Sequence, residues 1–299
     1  METLPRDYFL KEHNREFYVN EKIHKALHFL DLFPLVQNET GEFAQYITDA
    51  NADAVTSDPV AISEGVDFSE ISFGKPSEKR GATAGRGFKF SWTDKVERQG
   101  RLNANMQIML SKAVSRLAIY YDKVFADGLL AGAAATSPSG ISDWADDTIA
   151  PIQDEILILD AFEADEYGFK ATDIYLSRAD FVARQLYLST LPSYMPLNPE
   201  VTYHNLGTAL PTGTALALDK NTPVASIEKY ASPKYSTIRE AEIKAEQAGK
   251  ELKNVPESFI NVYYPPETKP EVHECYLWVE ANVNVLEGRG VMQIDLTGE

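Results

Sequence analysis

Residues 93–132 read TDKVERQGRLNANMQIMLSKAVSRLAIYYDKVFADGLLAG. Apolar side chains recur in this stretch at steps of mostly three and four residues, which is the spacing of one face of an α-helix. They are Val96, Leu102, Met106, Met109, Leu110, Ala113, Val114, Leu117, Tyr121, Val124, Phe125 and Leu129. At about 1.5 Å per residue such a helix would span on the order of 60 Å. The stretch therefore predicts a long supporting helix, here called the spine helix, on which other elements pack.

Polar and small residues mark the ends of the predicted spine helix. Thr93 or Asp94 can cap its first turn, because each offers a side-chain oxygen to the free backbone N–H groups there. Gly128 and Gly132 provide two stopping points, since glycine commonly follows the last helical residue. Gly100 is expected to shorten or bend the helix near its start, because glycine inside a helix costs about 1 kcal/mol.

Composition indicates a folded chain whose core is divided between two or more lobes. The 299 residues are 44% hydrophobic and 24% charged, and no apolar run is long enough to predict a membrane span. The N-terminal residues carry early charges and lack the apolar region of a secretory signal. Cys275 is the only cysteine, so the sequence predicts no internal disulfide and indicates synthesis in a reducing cytoplasm.

The net charge of −17, from 28 basic and 45 acidic residues, disfavours sequence-specific binding of DNA or RNA. Tight nucleic-acid binding relies on clustered Lys and Arg, and no basic run here is longer than Lys79-Arg80. A container that encloses nucleic acid needs no such adhesion, so the charge is compatible with that role.

Residues 1–58 predict an N-terminal arm with one helical patch. Apolar residues recur there at helical spacing until Pro34 stops the pattern. The patch consists of Ile23, Leu27, Leu30 and Phe33. Several aromatic residues precede it, so the arm needs an apolar surface to cover, either on its own domain or on a neighbouring chain.

Residues 59–92 change to the two-residue period of β-strands and predict a long hairpin. The alternating apolar residues are Val66, Phe68, Ile71, Phe73, Phe88, Phe90 and Trp92. Their phase changes near Ser69-Glu70, which favours a one-residue bulge. The segment GKPSEKRGATAGRG, residues 74–87, predicts a mobile tip. Because an isolated two-stranded ribbon is marginally stable in water, we expect this hairpin to lie on something else.

The rest of the chain predicts a mixed lobe of helices and short strands. A helix at 151–171 is expected to bury Ile152, Ile156, Leu159 and Phe162. Ser177 is a good cap for a second helix from Arg178 to about Leu188. Residues 189–212 are turn-rich, and residues 238–252 suit either a solvated helix or a hairpin insertion. Strands are predicted at 172–177, 214–219, 258–264, 274–286 and 291–296.

The predicted strand at 274–286 is long and alternates with period two. One face carries Cys275, Leu277, Val279, Ala281, Val283 and Val285. The other face carries Glu280, Asn282 and Asn284.

No group of residues forms a predicted active site. His24 and His28 stand at i and i+4, a spacing that can bind a metal, but a zinc site needs three or four ligands and no third is indicated. A surface or interface pair is therefore favoured. Cys275 lies on the apolar face of its strand, which favours a packed thiol over a nucleophile.

Two segments resemble ligand-binding loops only in composition. GATAGRG, residues 81–87, lacks the GK[ST] of a phosphate loop, and a strand follows it where a helix would be needed. DWADD, residues 143–147, lacks the spacing of a calcium loop and indicates an acidic surface loop. Glu163, Asp165 and Glu166 fit a solvated helix face. The sequence thus predicts no catalytic residue, metal site or cofactor, and a protein that is not an enzyme.

The order of these elements resembles the major capsid proteins of tailed phages and their relatives, which share the HK97-like fold. Residues 89–103 (KFSWTDKVERQGRLN) through 122–132 (DKVFADGLLAG) look like a strand that leads into the spine helix. Residues 154–186 (DEILILDAFEADEYGFKATDIYLSRADFVARQL) look like the helix, strand and helix of the axial lobe. Residues 205–229 (NLGTALPTGTALALDKNTPVASIEK) look like the segment in which that lobe returns with a short strand.

The resemblance extends from about residue 20 onward and implies an α+β fold with five parts. Residues 1–58 would be the N-terminal arm and residues 59–92 the extended hairpin, or E-loop. Residues 93–135 would hold the spine helix of the peripheral (P) domain. Residues 136–271 would be the axial (A) domain, and residues 272–299 the returning P-domain strands.

The resemblance also implies a function, namely self-assembly through arm and E-loop overlaps into an icosahedral shell of hexamers and pentamers around double-stranded DNA. Scaffolding, portal or decoration proteins would be further partners, and the chain would reside in the virion after assembly in the host cytoplasm. A scaffold would be separate or absent, since only the arm precedes the hairpin. No membrane partner is implied.

Some members of this family cross-link a lysine of the E-loop to an asparagine of a neighbouring P domain with the help of a glutamate. Lys75 and Lys79 lie in the corresponding loop, and Asn282 or Asn284 could be acceptors. No motif fixes the partners of such a reaction, which needs positioned groups.

Besides another virion protein of the same architecture, two alternative functions remain open at the level of sequence. The first is an encapsulin, a nanocompartment of the same fold that encloses a cargo enzyme. The second is a soluble oligomeric enzyme whose active site matches no motif, since a fold does not determine a function.

Overall fold

The computed structural model describes residues 11–38, 43–47, 77–81, 85–98, 102–135, 137–144, 151–163, 168–190, 201–266 and 271–298. Six helices occur in these residues: α1 (Glu12–Ala26), α2 (Asp94–Arg98), α3 (Leu102–Gly132), α4 (Pro151–Glu163), α5 (Arg178–Thr190) and α6 (Thr237–Gln247). The strands are β1 (Leu35–Asn38), β2 (Phe43–Ile47), β3 (Ser77–Gly81), β4 (Arg86–Thr93), β5 (Asp173–Leu176), β6 (Thr202–Asn205), β7 (Thr214–Leu218), β8 (Ala225–Tyr230), β9 (Asn261–Tyr263), β10 (Val272–Val285) and β11 (Val291–Asp295).

The predicted spine helix is present as α2 and α3. Strand β4 leads directly into α2, and α3 ends at Gly132, one of the two predicted stopping points. Gly100 lies outside the described residues, so its predicted effect stays a prediction. The buried side chains of α3 are Met106, Leu110, Ala113, Val114, Leu117, Ala118, Tyr121, Phe125, Ala126 and Leu129. Met109 was wrongly assigned to this stripe: it is 37% exposed, because it lies on the flank of the helix in line with the exposed Arg116.

The two glycines near the end of α3 bring the helix close to strand β10. A Cβ atom on Gly128 would lie 2.4 Å from Cγ1 of Val283, and one on Gly132 would lie 2.6 Å from Cγ2 of Val285. Gly128 therefore does not end the helix, as the sequence allowed, but permits helix–strand contact. The Tyr121 hydroxyl adds a hydrogen bond to the backbone carbonyl of Val279 in the same strand.

Strand β10 organises the larger sheet, whose order is β1-β8-β10-β4 with β9 also paired to β10. Its first half pairs antiparallel with β4 and its second half antiparallel with β8. The predicted alternation is confirmed, since the residues of the apolar face are buried: Cys275, Leu277, Val279, Ala281, Val283 and Val285. A second sheet has the order β11-β7-β5-β6, and β2 pairs with β3 alone.

The predicted hairpin at 59–92 is only partly described. Its last strand, β4, pairs with β10, whereas residues 59–76, with the predicted bulge, lie outside the described residues. The tip was expected to be a loop, but residues 77–81 form β3 and pair with β2. Alternation identified β4 as a strand but not its partner, and residues 77–81 (SEKRG) contain no apolar residue whose alternation could have indicated a strand.

The helix of the N-terminal arm lies earlier than predicted. It spans Glu12–Ala26, and the chain turns at residues 28–33. Leu27, Leu30 and Phe33 are buried as expected, but in turns, because burial alone does not require a helix. The sequence left open whether the arm packs on its own chain or on a neighbouring one. Residues 11–38 pack on their own chain: α1 contacts α3 and α6, and β1 pairs with β8.

The helices and strands predicted for the lobe are largely confirmed. Helix α5 and strands β5, β7, β9 and β11 lie close to the predicted ranges, and α6 occupies the first part of 238–252. The helix predicted at 151–171 was too long, because α4 ends at Glu163 and residues 168–171 are not helical. Ser177 caps α5, since its hydroxyl accepts a hydrogen bond from the backbone N–H of Asp180 at 3.3 Å. The predicted burial of Ile156 is wrong, since this side chain is exposed. The inner face of α4 is instead formed by Asp154, Glu155, Ile158 and Phe162. Strands β6 and β8 were not predicted, and the five domain boundaries stay predictions.

Candidate assembly surface

The spine helix presents a second apolar row on the side opposite to its buried stripe. Ile108 is 52% exposed and Ile119 is 50% exposed. They stand three turns apart on the same side of α3, about 16 Å along its axis. Tyr120 and Met109 flank them, at 41% and 37% exposed. We call these four residues, together with Lys112, Arg116 and Lys123, the outer spine face.

The charged members of the outer spine face are all basic, although the chain as a whole has a net charge of −17; the exposed Asp127, one turn beyond Lys123, lies just outside this face. Lys112, Arg116 and Lys123 are exposed and form no ion pair within the described part of the chain. A surface that combines large aliphatic side chains with unpaired cations is typical of a site that another segment covers. A segment with acidic and apolar residues would complement it in charge and hydrophobicity.

Strand β4 extends this surface at one side. The Arg86 guanidinium donates a hydrogen bond to the Tyr120 hydroxyl at 3.2 Å, and it lies 5.7 Å from the centre of the Tyr120 ring. Phe88, on the same strand, is 40% exposed. Gly87 allows this strand to approach β10, since a Cβ there would lie 2.1 Å from the carbonyl oxygen of Leu277. The surface therefore continues from the helix onto the edge of the larger sheet.

Two polar side chains of α1 fix the arm to the rest of the subunit. The Glu16 carboxylate accepts hydrogen bonds from the backbone N–H groups of Thr237 at 3.0 Å and Ile238 at 3.1 Å, the first residues of α6. The Asn20 side-chain oxygen accepts hydrogen bonds from the N–H groups of Phe259 at 2.6 Å and Ile260 at 2.9 Å. These long-range contacts hold the arm on its own chain, and the sequence contained no local pattern that identifies them.

A histidine–carboxylate pair connects the turn after α1 to the spine helix. His28 Nδ1 lies 2.8 Å from Oδ2 of Asp122, and the His28 backbone N–H donates to the other oxygen of this carboxylate at 3.0 Å. Asp122 is 4% exposed, whereas the His28 ring is partly open to solvent. The hydrogen bond with Asp122 raises the pKa of His28, and its partial burial opposes that effect.

The predicted histidine pair is separated in the structure. His24 is on α1 and its Nε2 atom forms a hydrogen bond with the carbonyl oxygen of Glu257 at 2.8 Å. His28 lies beyond the end of α1 and binds Asp122. Within the residues that the structure describes, no group of three or more His, Cys, Asp or Glu side chains is arranged to hold a metal ion.

Cys275 is packed, as predicted. Its side chain is 1% exposed, and burial raises the pKa of the thiol to about 11. Such a thiol is protonated near neutral pH and is therefore a poor nucleophile.

The predicted loops and the acidic helix face are partly described. Gly81 ends β3 and Gly87 lies in β4, while residues 82–84 between them are outside the described part. In the acidic segment, Asp143 forms an isolated bridge with Thr297, and residues 145–147 are not described. Glu163 is exposed at the end of α4, as expected for a solvated face, and Asp165 and Glu166 are not described.

No contact among the residues that the structure describes joins the lysines and asparagines considered for a cross-link. Asn284 is only 6% exposed, which argues against it as an acceptor for a lysine of another chain. Asn282 is half-buried and lies opposite Glu228 in the pairing of β10 with β8. The backbone of Lys79 lies in β3, and Lys75 is outside the described residues. The cross-link stays untested.

The described helices include none that is both long and apolar enough to cross a lipid bilayer.

Solved structures share this arrangement over almost the whole chain. A virus-like particle from Pyrococcus furiosus aligns with a TM-score of 0.57 at 7% identity, covering 94% of this chain and 97% of that chain. A phage-related protein from Bordetella bronchiseptica RB50 aligns with a TM-score of 0.52 at 11% identity, covering 94% and 96%. The capsid of cyanophage P-SCSP1u aligns with a TM-score of 0.53 at 8% identity, covering 90% and 88%.

These likenesses show the fold. The chain has the α+β, HK97-like fold that the sequence predicted, with a long spine helix, a five-stranded sheet and a four-stranded sheet. No protein-family model matches the sequence, and no curated protein matches it either.

Proposed function

We propose that this chain is the major capsid protein of a tailed phage, which assembles with copies of itself into an icosahedral shell around double-stranded DNA. The observation that carries the proposal is the outer spine face, a row of exposed aliphatic side chains and unpaired cations on the central helix of a shell-type fold. The virion would be the place where the assembled protein resides, and hexamers and pentamers would be its units.

The sequence supplies a complementary segment for this face. Residues 59–73, PVAISEGVDFSEISF, contain three acidic residues, Glu64, Asp67 and Glu70, and no basic residue. Apolar residues alternate with the acids, as predicted for the first strand of the E-loop. In the proposed shell, this segment of one copy covers the outer spine face of the next, so that acids meet Lys112, Arg116 and Lys123.

The strength of such a contact is modest for one pair of subunits and large for a shell. Full burial of one Ile or Tyr side chain contributes about 1.5–3 kcal/mol, and half-exposed residues gain about half of that. Each subunit of a closed shell both gives and receives the contact, so the shell forms cooperatively although isolated pairs dissociate. The net charge of −17 suits a container that does not adhere to its DNA.

The test is assembly of the purified chain, followed by negative-stain electron microscopy and sedimentation. The Ile119→Glu variant should stay folded and remain as small oligomers, because a carboxylate would replace one of the two large exposed aliphatic side chains of the outer spine face. Leu252→Glu is the matched control, since it places a carboxylate at an apolar side chain that is 40% exposed after α6 and is not a member of the outer spine face. Closed shells formed by Ile119→Glu as readily as by Leu252→Glu would refute the role of this face.

The contents of particles from a native source test the remaining part of the proposal. Double-stranded DNA in the particles would support a phage capsid. Particles that contain a cargo enzyme and no nucleic acid would instead identify a nanocompartment, and an unsubstituted chain that stays a small oligomer with enzymatic turnover would refute a shell altogether.

A further inference from the structure

The lobe formed around the second sheet has a cavity of about 670 Å³ at the start of helix α5. Arg178, Ala179 and Val182 line one side, and Leu210 and Pro211 from the loop after β6 line the other. Val182 is 45% exposed, and Leu186, one turn further along the same face of α5, is 63% exposed. The result is an open apolar depression with the exposed Arg178 among its lining residues.

The outer face of helix α4 is also apolar but carries a charge of the opposite sign. Ile156 is 53% exposed and Leu157 is 40% exposed, and Asp160 lies between them on the same side of the helix. Neither Asp160 nor Arg178 forms an ion pair with a described residue. The two faces thus offer apolar surface on both sides and one unpaired charge of each sign.

Buried contacts hold α4 and α5 in a fixed orientation. The Arg184 guanidinium of α5 forms an ion pair with the Glu155 carboxylate of α4, with side-chain exposures of 4% and 1%, and it lies 3.6 Å from the centre of the Tyr203 ring. The Asp180 carboxylate accepts a hydrogen bond from the N–H of Gly213 at 3.0 Å, which fixes the loop beside the cavity. Both faces are therefore preformed, and binding between them requires little ordering of the backbone.

We infer that the outer face of α4 on one copy of this chain docks into the α5 cavity of a second copy, with Asp160 of the first paired to Arg178 of the second. This inference rests on the proposed function, for which it names one contact between shell subunits. Charge complementarity favours a second copy as the occupant, since each chain carries both halves of the contact. A contact between two different faces is heterologous, and repetition of such a contact closes a ring when the rotation allows it.

Charge reversal tests the inference in the full-length chain. Arg178→Glu and Asp160→Lys should each lower the fraction of protein in rings and shells at least about tenfold, because like charges would then face each other across the contact. The double variant should restore assembly. Lys250→Glu is the control for Arg178→Glu, since it changes the charge by the same amount at an exposed position after α6. Circular dichroism and the thermal midpoint verify that each variant is folded. If a charge-reversal variant unfolds, the milder substitution at the same position, Arg178→Ser or Asp160→Asn, replaces it and should show a smaller loss of assembly.

A mixture of the two single variants gives the sharpest result. In a ring of alternating variants, an unchanged Asp160 faces an unchanged Arg178, and the two substituted side chains also face each other with opposite charges. An equal mixture should therefore form even-numbered rings, visible by native mass spectrometry, although each variant alone does not. If a substitution prevented assembly by changing the structure of its own subunit, mixing the two variants would not restore assembly.

The outcomes separate this contact from the proposed function. If the unsubstituted chain forms shells and Arg178→Glu assembles like Lys250→Glu, or if neither the double variant nor the mixture restores assembly, the contact is refuted and the shell function stands. If the unsubstituted chain forms no large particle under any condition, the shell function and the contact both fail.

Discussion

Replacement of Glu16 by alanine should release the N-terminal arm from helix α6. Glu16 is 2% exposed, and its carboxylate accepts hydrogen bonds from the N–H groups of Thr237 and Ile238 and from the hydroxyls of Ser236 and Thr237. An acceptor placed there stabilises the first turn of α6, whose N–H groups have no partner within the helix. In the Glu16→Ala variant these donors lose their acceptor while they remain in a largely buried site.

The expected loss is about 3 kcal/mol in the free energy of unfolding. A buried donor without a partner costs about 1–3 kcal/mol, and two backbone donors are affected, while the remaining cap by Ser236 limits the total. At about 2.1 cal/mol/K of unfolding entropy per residue, 1 kcal/mol corresponds to about 1.6 °C in the thermal midpoint of a 299-residue chain, so the midpoint should fall by about 5 °C.

Thermal unfolding of the unassembled subunit measures this loss, and hydrogen exchange locates it. Amides of residues 12–26 and 237–247 should exchange faster in Glu16→Ala, while those of β10 keep their protection. Glu21→Ala is the matched control, because it removes an exposed ion pair with Lys25 on the same helix and should cost less than about 0.5 kcal/mol. A midpoint for Glu16→Ala within 1 °C of the control (about 0.6 kcal/mol) would refute the reasoning.

Three further predictions concern single side chains. Because the pKa of His28 is raised in the folded state, its pair with Asp122 stabilises the subunit fully below a pH of about 6.5 and less as the pH rises through the raised pKa. The thermal midpoint should therefore decline less between about pH 6 and pH 8 in His28→Gln than in the unsubstituted chain. A pH profile of the midpoint that is the same in both proteins would contradict this. Gly128→Ala should destabilise by about 1–3 kcal/mol through overlap with Val283, and Val283→Ala in the same chain should recover part of the loss; denaturant titration measures both. Cys275 should react with thiol reagents only at the rate of unfolding, so fast labelling of the native subunit at neutral pH would show that the thiol is accessible.

The sequence predicted best those elements whose regularly spaced residues are buried in one core: every second residue in a strand, and residues three and four positions apart in a helix. Strand β10 and the inner face of α3 pack against each other, so their periods match their burial directly. The partner of β4 could not be predicted in this way. Alternation in Phe88, Phe90 and Trp92 is equally consistent with a hairpin and with pairing to β10, and only the three-dimensional register decides.

The outer spine face was not predicted, because the helix was identified by its single buried apolar stripe. Ile108, Ile119 and Tyr120 are apolar residues outside the buried stripe, and a reading that seeks one stripe passes over them. Their presence beside Lys112, Arg116 and Lys123 is the sequence signal that could have identified the surface. The anchoring contacts of Glu16 and Asn20 had no such signal, because they join residues more than 200 positions apart.

Cross-linking within assembled particles tests most directly whether subunits are completed by their neighbours. Shells formed from equal amounts of isotopically labelled and unlabelled chains would be treated with a zero-length reagent that joins amines to carboxylates, and the peptides analysed by mass spectrometry. We expect mixed-isotope cross-links between Lys112 or Lys123 and the acids of residues 59–73. Cross-links of these lysines to that segment only within single chains, or a chain that remains a monomer, would contradict assembly through the outer spine face.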